Sequence, residues 1–323
     1  MPLITDSAYR APSIFHKSAH YSTIVPGLFR DYQPPYFQRE RLELDDGDFL
    51  DLDWLKQKER NKLLILSHGL EGNSRRPYIT ATADYFYRRG FSSLAWNQRG
   101  CSGEMNRTLR FYHHGVYDDL ARVVRYALQS GFEEIYLIGF SMGAAVSFNY
   151  LGHTKTLDPR VKGAVGVSTP LDIVASAEFI NQGFNKVYVQ NFLGTLKEKV
   201  KAKAVQFPEL PNLDKLDEVN DFTSFDNYFT APIHGFKNGE DYYYQTSPLR
   251  VIEQIDRPIL AINALNDPML GESCYPYHVA EQHRYFYLET PKYGGHCGFP
   301  LKDSPYSWAE KRAYQFFSEH CFA

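Results

Sequence analysis

Ile138-Gly139-Phe140-Ser141-Met142-Gly143 sets a serine between two glycines where a strand-forming run gives way to a helical one. Upstream, Glu134-Ile135-Tyr136-Leu137-Ile138 is β-branched and aromatic, and downstream Ala144, Ala145 and Val146 open a helical pattern. Strand, sharp turn and helix together are the setting of a nucleophile elbow, which pushes a serine hydroxyl to the top of a sheet. Such a turn forces the serine into strained backbone angles, and side chains at 139 or 143 would collide with the neighbouring strand or helix. The pentad alone is a modest signal, so the rest of the chain decides its meaning.

A serine nucleophile needs a base to take its proton and an acid to hold that base in the right tautomer, and after an elbow the chain order is serine, acid, histidine. Asp267 follows the apolar run Ile259 to Ala264 in Leu265-Asn266-Asp267-Pro268. His296 follows Tyr285 to Leu288 in Gly294-Gly295-His296-Cys297-Gly298, a glycine-rich loop shaped to bring one side chain close to other backbone. Both stand beyond the carboxyl ends of expected parallel strands, the edge where such sheets bind ligands. An oxyanion needs two N–H donors. Met142, just after the nucleophile, supplies one, and Leu70, in His68-Gly69-Leu70-Glu71-Gly72 after the run Lys62 to Ser67, supplies the other.

Strand and helix alternate along most of the chain, which predicts an α/β-hydrolase fold: a mostly parallel central sheet with helices on both faces. Arg39 to Leu44 and Phe49 to Trp54 flank Asp45-Asp46-Gly47-Asp48 as a hairpin of two antiparallel edge strands. Short apolar runs at Leu63 to Leu66, Ser92 to Trp96, Ile135 to Ile138, Ala164 to Val167, Ile259 to Ala264 and Tyr285 to Leu288 read as buried strands. Leu120, Val123, Val124, Ala127 and Leu128 share one helical face, as do Ala309, Ala313, Phe316 and Phe317. The rhythm breaks after Pro170. The expected division is a core of 1–169 and 248–323 with an inserted helical cap at 170–247, in which Lys197, Lys199, Lys201 and Lys203 read as a solvated helix face. The aromatic-rich Tyr228-Phe229 and Tyr242-Tyr243-Tyr244, with Phe236, suggest an apolar acyl site under that cap.

Size and charge narrow the function. A chain of 323 residues fits one α/β core with an insertion. A formal charge of −3 offers no general attraction for nucleic acid, so no nucleic-acid partner is expected. Cys101, Cys274, Cys297 and Cys321 lack the spacing of a zinc or redox pair and read as free thiols. Met1 to His20 has no signal-peptide apolar core, and no stretch approaches the roughly eighteen apolar residues of a membrane span, so a cytoplasmic protein without an integral membrane segment is expected.

Other residues carry weaker readings. His68, at the end of a buried strand, is expected to order its loop rather than act as a second base. The adjacent His113 and His114 should diverge from an extended backbone and show no metal-ligand spacing. Cys297 should not reach its neighbouring imidazole, and Ser102 in Arg99-Gly100-Cys101-Ser102-Gly103 lacks a P-loop lysine. No metal and no cofactor are expected.

Several further motifs occur in order: His20 to Pro26 (His-Tyr-Ser-Thr-Ile-Val-Pro), His68 to Ser74 (His-Gly-Leu-Glu-Gly-Asn-Ser), Pro77-Tyr78-Ile79, Asn97 to Glu104 (Asn-Gln-Arg-Gly-Cys-Ser-Gly-Glu), Tyr112-His113, Thr230 to Phe236, Asn263 to Pro268 and Gly294 to Phe299. With them the chain resembles, over nearly its full length, the bacterial YheT-like hydrolases and the ABHD1/2/3-type enzymes of eukaryotes. The resemblance implies Ser141 as nucleophile, Asp267 as acid and His296 as base, a helical cap after Pro170, and esterase chemistry, on lipid esters in some eukaryotic relatives. Ser22 stands where the family usually has glutamine, Ala144 replaces a common second glycine, and a membrane anchor of the eukaryotic kind is not expected. The expected function is a serine esterase acting on a small-molecule ester with an apolar acyl group. The alternatives are an alcohol acyltransferase using the same acyl-enzyme and a non-catalytic binding protein on the same fold. Oligomeric state is not legible.

Overall fold

The computed structural model describes residues 3–30, 32, 37–59 and 61–322. Its strands are β1 (Leu3–Ile4), β2 (Gln38–Glu43), β3 (Phe49–Leu55), β4 (Lys62–Ser67), β5 (Ser92–Trp96), β6 (Glu134–Phe140), β7 (Val161–Val167), β8 (Ile259–Ile262) and β9 (Phe286–Glu289). Among the described residues they form one sheet in the order β1-β9-β8-β7-β6-β4-β5-β3-β2. The helices are α1 (Ala19–Phe29), α2 (Pro77–Tyr87), α3 (Tyr117–Gln129), α4 (Met142–His153), α5 (Ile173–Ile180), α6 (Lys186–Gln206), α7 (Phe222–Phe225), α8 (Ala231–His234), α9 (Gly239–Thr246), α10 (Tyr277–Gln282) and α11 (Trp308–His320).

The six apolar runs are β4 to β9, and they pair in parallel throughout. Alternation along β4 shows why a continuous apolar run suits a sheet covered on both faces. Leu63 and Ile65 join the cluster that contains Leu120, Val123, Val124 and Ala127 of α3 and Val146 and Phe148 of α4. Leu64 and Leu66 point the other way, to Ile79, Ala83 and Phe86 of α2 and Ala309, Ala313, Phe316 and Phe317 of α11. All four β4 side chains are fully buried, so cutting any one to alanine should cost about 2–5 kcal/mol.

The hairpin forms as expected, with Gln38 opposite Trp54 and Glu43 opposite Phe49. Of the two hairpin strands β2 is an edge and β3 is not, because β3 also pairs with β5. The turn has a tertiary role: the buried Arg99 guanidinium donates to Asp46 and Asp48 of the turn and to both carboxylate oxygens of Asp119 on α3. The run expected to reach Ala264 leaves the sheet after Ile262. There Asn263 accepts from Thr169 N–H at 2.7 Å and donates to the Thr169 and Cys274 carbonyls, tying the ends of β7 and β8 together.

Sheet order places the functional edge. The chain passes from β4 to β5 on one side, then crosses back to β6 on the other side of β4, so the crevice at the carboxyl ends of β4 and β6 is a topological switch point. Between β7 and β8 the described chain is helical, with α5 to α9 spanning Ile173–Thr246 and enclosing a separate apolar cluster around Val189, Leu193, Val200, Leu210 and Phe229. Phe222 to His234 is one continuous helical run in which Asp226–Thr230 widens to a π-helical turn.

The lysine run is a solvated face only in part. Lys199 and Lys203 lie four apart, hence on the inner side of α6. Lys203 is fully buried and donates to the Asn106 carbonyl, Asn106 Oδ1 and the Thr108 carbonyl at 2.7 to 2.8 Å. Lys201 faces solvent beside Glu198. The alternating spacing hid this, because charge composition does not say which face of a helix another chain segment will cover.

Candidate active site

Ser141 sits between β6 and α4 with φ 52° and ψ −122°, a left-handed angle that non-glycine residues seldom adopt. The two glycines permit it. A Cβ on Gly139 would lie 2.3 Å from the Gly143 carbonyl oxygen in α4, and one on Gly143 would lie 2.2 Å from the Ser67 carbonyl oxygen at the end of β4. Met142 opens α4, so its N–H belongs to the first turn, which has no acceptor within the helix.

Asp267 and His296, on the loops after β8 and β9, are brought together. His296 Nδ1 lies 3.0 and 2.9 Å from the two Asp267 carboxylate oxygens, and the Asp267 side chain is fully buried. Asp267 Oδ1 also accepts from Met269 N–H at 2.9 Å, which fixes the carboxylate plane. Burial acts to lower the His296 pKa, but the Asp267 carboxylate and then Cys297 overcome it and hold the imidazole well above its ordinary 6.5. Cys297 thus adds to the electrostatics of its neighbour. Its backbone is left-handed, φ 60°, its N–H donates to Ser168 Oγ at 2.9 Å and its thiol lies 3.7 Å from the Val167 carbonyl oxygen.

Helix α1 holds the histidine loop, and nothing in the residue-by-residue reading indicated this. His296 N–H donates to Thr23 Oγ1 at 2.9 Å. Asn266 bridges the same region, accepting from Gly295 N–H at 3.0 Å and donating to the Lys17 carbonyl at 3.2 Å. Ser22 is fully buried against this loop. A Cβ on Gly298 would come within 2.1 Å of the Ser22 carbonyl oxygen, which is why glycine stands there. The one available signal was the motif His20 to Pro26, which contains both residues.

His68 orders its loop as expected. Nδ1 lies 2.8 Å from the Gly69 carbonyl oxygen and Nε2 accepts from Gln98 N–H at 3.1 Å. Burial lowers its pKa to about 4, so it remains neutral. His113 and His114 do not diverge: both rings meet Tyr242, and His113 also packs 4.4 Å from the His234 ring. Among the described residues no group of three or more His, Cys, Asp or Glu side chains is placed to hold a metal ion. Ser102 contributes its carbonyl to Arg39 at 2.9 Å.

Ser141, Met142, Leu70 and His296 line one cavity of about 870 Å³, including space open to solvent. Most of its wall is apolar and comes from the segment between β7 and β8: Ile173, Ala177, Ile180, Phe192, Leu196, Phe222 and Phe225. The aromatic expectation needs correction. Tyr242 and Tyr243 line this cavity, but Phe229 packs between that segment and the core, Phe236 faces a different cavity, and Tyr244 is exposed under Arg250. Asp226 also lines the cavity, and burial raises its pKa to about 6 although the Thr230 and Tyr243 hydroxyls donate to its carboxylate.

Residues 62–302 match the sequence family described as alpha/beta hydrolase fold. An Escherichia coli protein named "Putative esterase YheT" is 34% identical over 318 residues, covering 95% of this chain and 92% of its own. The monoacylglycerol lipase of Saccharomyces cerevisiae is 31% identical over 270 residues, 79% of this chain and 58% of the lipase. Phospholipase ABHD3 of Mus musculus is 27% identical, over 92% of this chain and 74% of its own. The Pyrococcus furiosus esterase Pf2001 superposes with a TM-score of 0.58 at 14% identity over 88% of this chain and 93% of that one, a likeness of fold.

Proposed function

Because the chain belongs to the α/β-hydrolase family, in the branch of YheT and ABHD3, and is an ester-bond hydrolase of that family, we propose that it cleaves carboxylic esters through a serine acyl-enzyme. Ser141 Oγ attacks the carbonyl carbon while its proton passes to His296, and Leu70 and Met142 N–H groups receive the oxyanion. His296 returns the proton to the departing alcohol, leaving an acyl group on Ser141. Water then gives a proton to His296 and attacks the acyl-enzyme, so the acid departs and Ser141 recovers its proton. Asp267 keeps the Nδ1–H tautomer and stabilises the imidazolium formed in each half.

The observation that carries this reading is that a serine at φ 52° and a carboxylate-held histidine line the same cavity. The apolar wall supports an apolar acyl group, and the segment 170–247 acts in this reading as a cap that selects substrate size. The mechanism requires no cofactor or metal. No helix of the described residues is long and apolar enough to cross a membrane, and all four cysteines are free; this reading takes the setting as cytoplasmic and the substrate as a small-molecule ester, the formal charge of −3 offering no general attraction for nucleic acid. The test is labelling with a fluorophosphonate probe and turnover of aryl esters: Ser141→Ala should abolish both while remaining folded. Labelling that persists, or maps to another residue, overturns the assignment.

A further inference from the structure

Glu71, the residue after Leu70, carries a left-handed backbone, φ 53°, without being glycine. Such an angle persists only where surroundings over-determine it, and four contacts do so. Glu71 N–H donates to the Tyr112 hydroxyl at 2.8 Å, and that hydroxyl donates in turn to the Glu71 carboxylate. Arg76 donates to the Glu71 carbonyl at 2.9 Å. The fourth contact comes from α6: Lys199 Nζ reaches Glu71 Oε1 at 2.7 Å. The pair is well shielded, the lysine side chain 18% and the glutamate side chain 9% exposed. The ammonium also lies 3.3 Å from Cys101 Sγ and 5.0 Å from the centre of the Tyr112 ring.

We propose that Lys199 is a positioning residue for the oxyanion site: its ammonium, delivered by α6, clamps Glu71 and so aims the adjacent Leu70 N–H at the reacting carbonyl. This rests on the serine mechanism above and adds to it that α6 completes the catalytic machinery as well as walling the pocket. The physical reason is geometric. The turn Gly69 to Gly72 closes by a Gly72 N–H bond to the Gly69 carbonyl at 3.0 Å, so the peptide between Gly69 and Leu70 follows the backbone angles of Glu71. With the ammonium gone, the shielded carboxylate would keep only a neutral phenol and would turn toward water. The N–H direction would move with it.

Lys203, one turn along α6, provides the control, since it anchors the same helix to the Asn106 and Thr108 carbonyls without touching the oxyanion loop. Lys199→Met should lower kcat on an aryl ester by roughly tenfold to a hundredfold with KM little changed, on the scale of a displaced oxyanion donor. Lys199→Arg should recover most of it. Lys203→Met should lower thermal stability without that kcat loss. A further readout belongs to the oxyanion alone and does not depend on the fraction of protein folded. A thionoester presents sulfur, a poor acceptor, so the preference for an ester over the matching thionoester should narrow in Lys199→Met and not in Lys203→Met. An unchanged ester-to-thionoester ratio in Lys199→Met, or equal narrowing in both variants, overturns the proposal. Those results would leave Ser141-dependent turnover intact, whereas turnover persisting in Ser141→Ala would remove the mechanism on which the proposal rests.

Discussion

The His296 N–H donates to Thr23 Oγ1 at 2.9 Å across a sequence separation of 273 residues, so the loop bearing the candidate base is fastened to a helix near the other end of the chain. Thr23→Val keeps the shape but leaves this N–H without an acceptor. We expect a loss of about 1–3 kcal/mol of stability and a kcat reduced about tenfold, as the imidazole loses its fixed position. Thr23→Ser, which retains the hydroxyl, should restore both. Equal kcat in the valine and serine variants would show that α1 merely covers the loop.

Asp267→Asn preserves the side-chain outline but favours the wrong imidazole tautomer. Turnover should fall by as much as about ten-thousandfold, with the probe still binding slowly at Ser141. Near-native turnover in this variant would show that the acid lies elsewhere.

The pH profile follows from the same pair. The base must be neutral to accept a proton, and the His296 pKa is raised above 6.5 because Asp267, aided by Cys297, outweighs burial. The acid limb of kcat/KM should therefore have its midpoint above pH 6.5, and Asp267→Asn should move the midpoint down. In stability terms, a raised histidine contributes fully below pH 6.5 and loses that contribution as pH rises through the raised value. A wild-type limb below 6.5 contradicts the ion-pair account.

Acyl-length preference should respond to the rings that line the cavity. Phe192→Ala should raise kcat/KM for long acyl esters relative to short ones, and Ala177→Leu should do the reverse, each by roughly tenfold, since a methylene in an apolar pocket is worth about 1–3 kcal/mol. Phe236→Leu, outside that cavity, should leave the ratio alone. A ratio that moves with Phe236 and not with Phe192 would place the acyl group elsewhere.

Asp226 predicts a pH-dependent stability. Its folded pKa of about 6 lies above the ordinary 3.8, so the folded state binds the proton more tightly. Its contribution favours folding below about pH 4 and is lost as pH rises through 6. Asp226→Asn should remove that slope, gaining on the wild type by up to about 3 kcal/mol between pH 4 and 7. Denaturant titrations at several pH values check it, and parallel curves for the two proteins would refute it.

Sequence alone determined what local sterics and periodicity control. The strand, turn and helix around Ser141 follow from Gly139 and Gly143, because no other residue leaves room for that turn, and β4 to β9 follow from apolar runs too short to be helices. The order of Ser141, Asp267 and His296 followed from knowing what a serine nucleophile requires. Tertiary structure decided the contacts between distant segments, which no spacing encodes. Lys199 and Lys203 turn inward only because α6 lies over Glu71 and Asn106, and Thr23 holds His296 only because α1 packs against a loop far along the chain. Phe229 and Phe236 miss the cavity, while Phe192 lines it, because a helical segment without a dominant apolar stripe does not reveal which side meets the core. A local pattern fixes an element; the energy of covering one element with another fixes which residues meet.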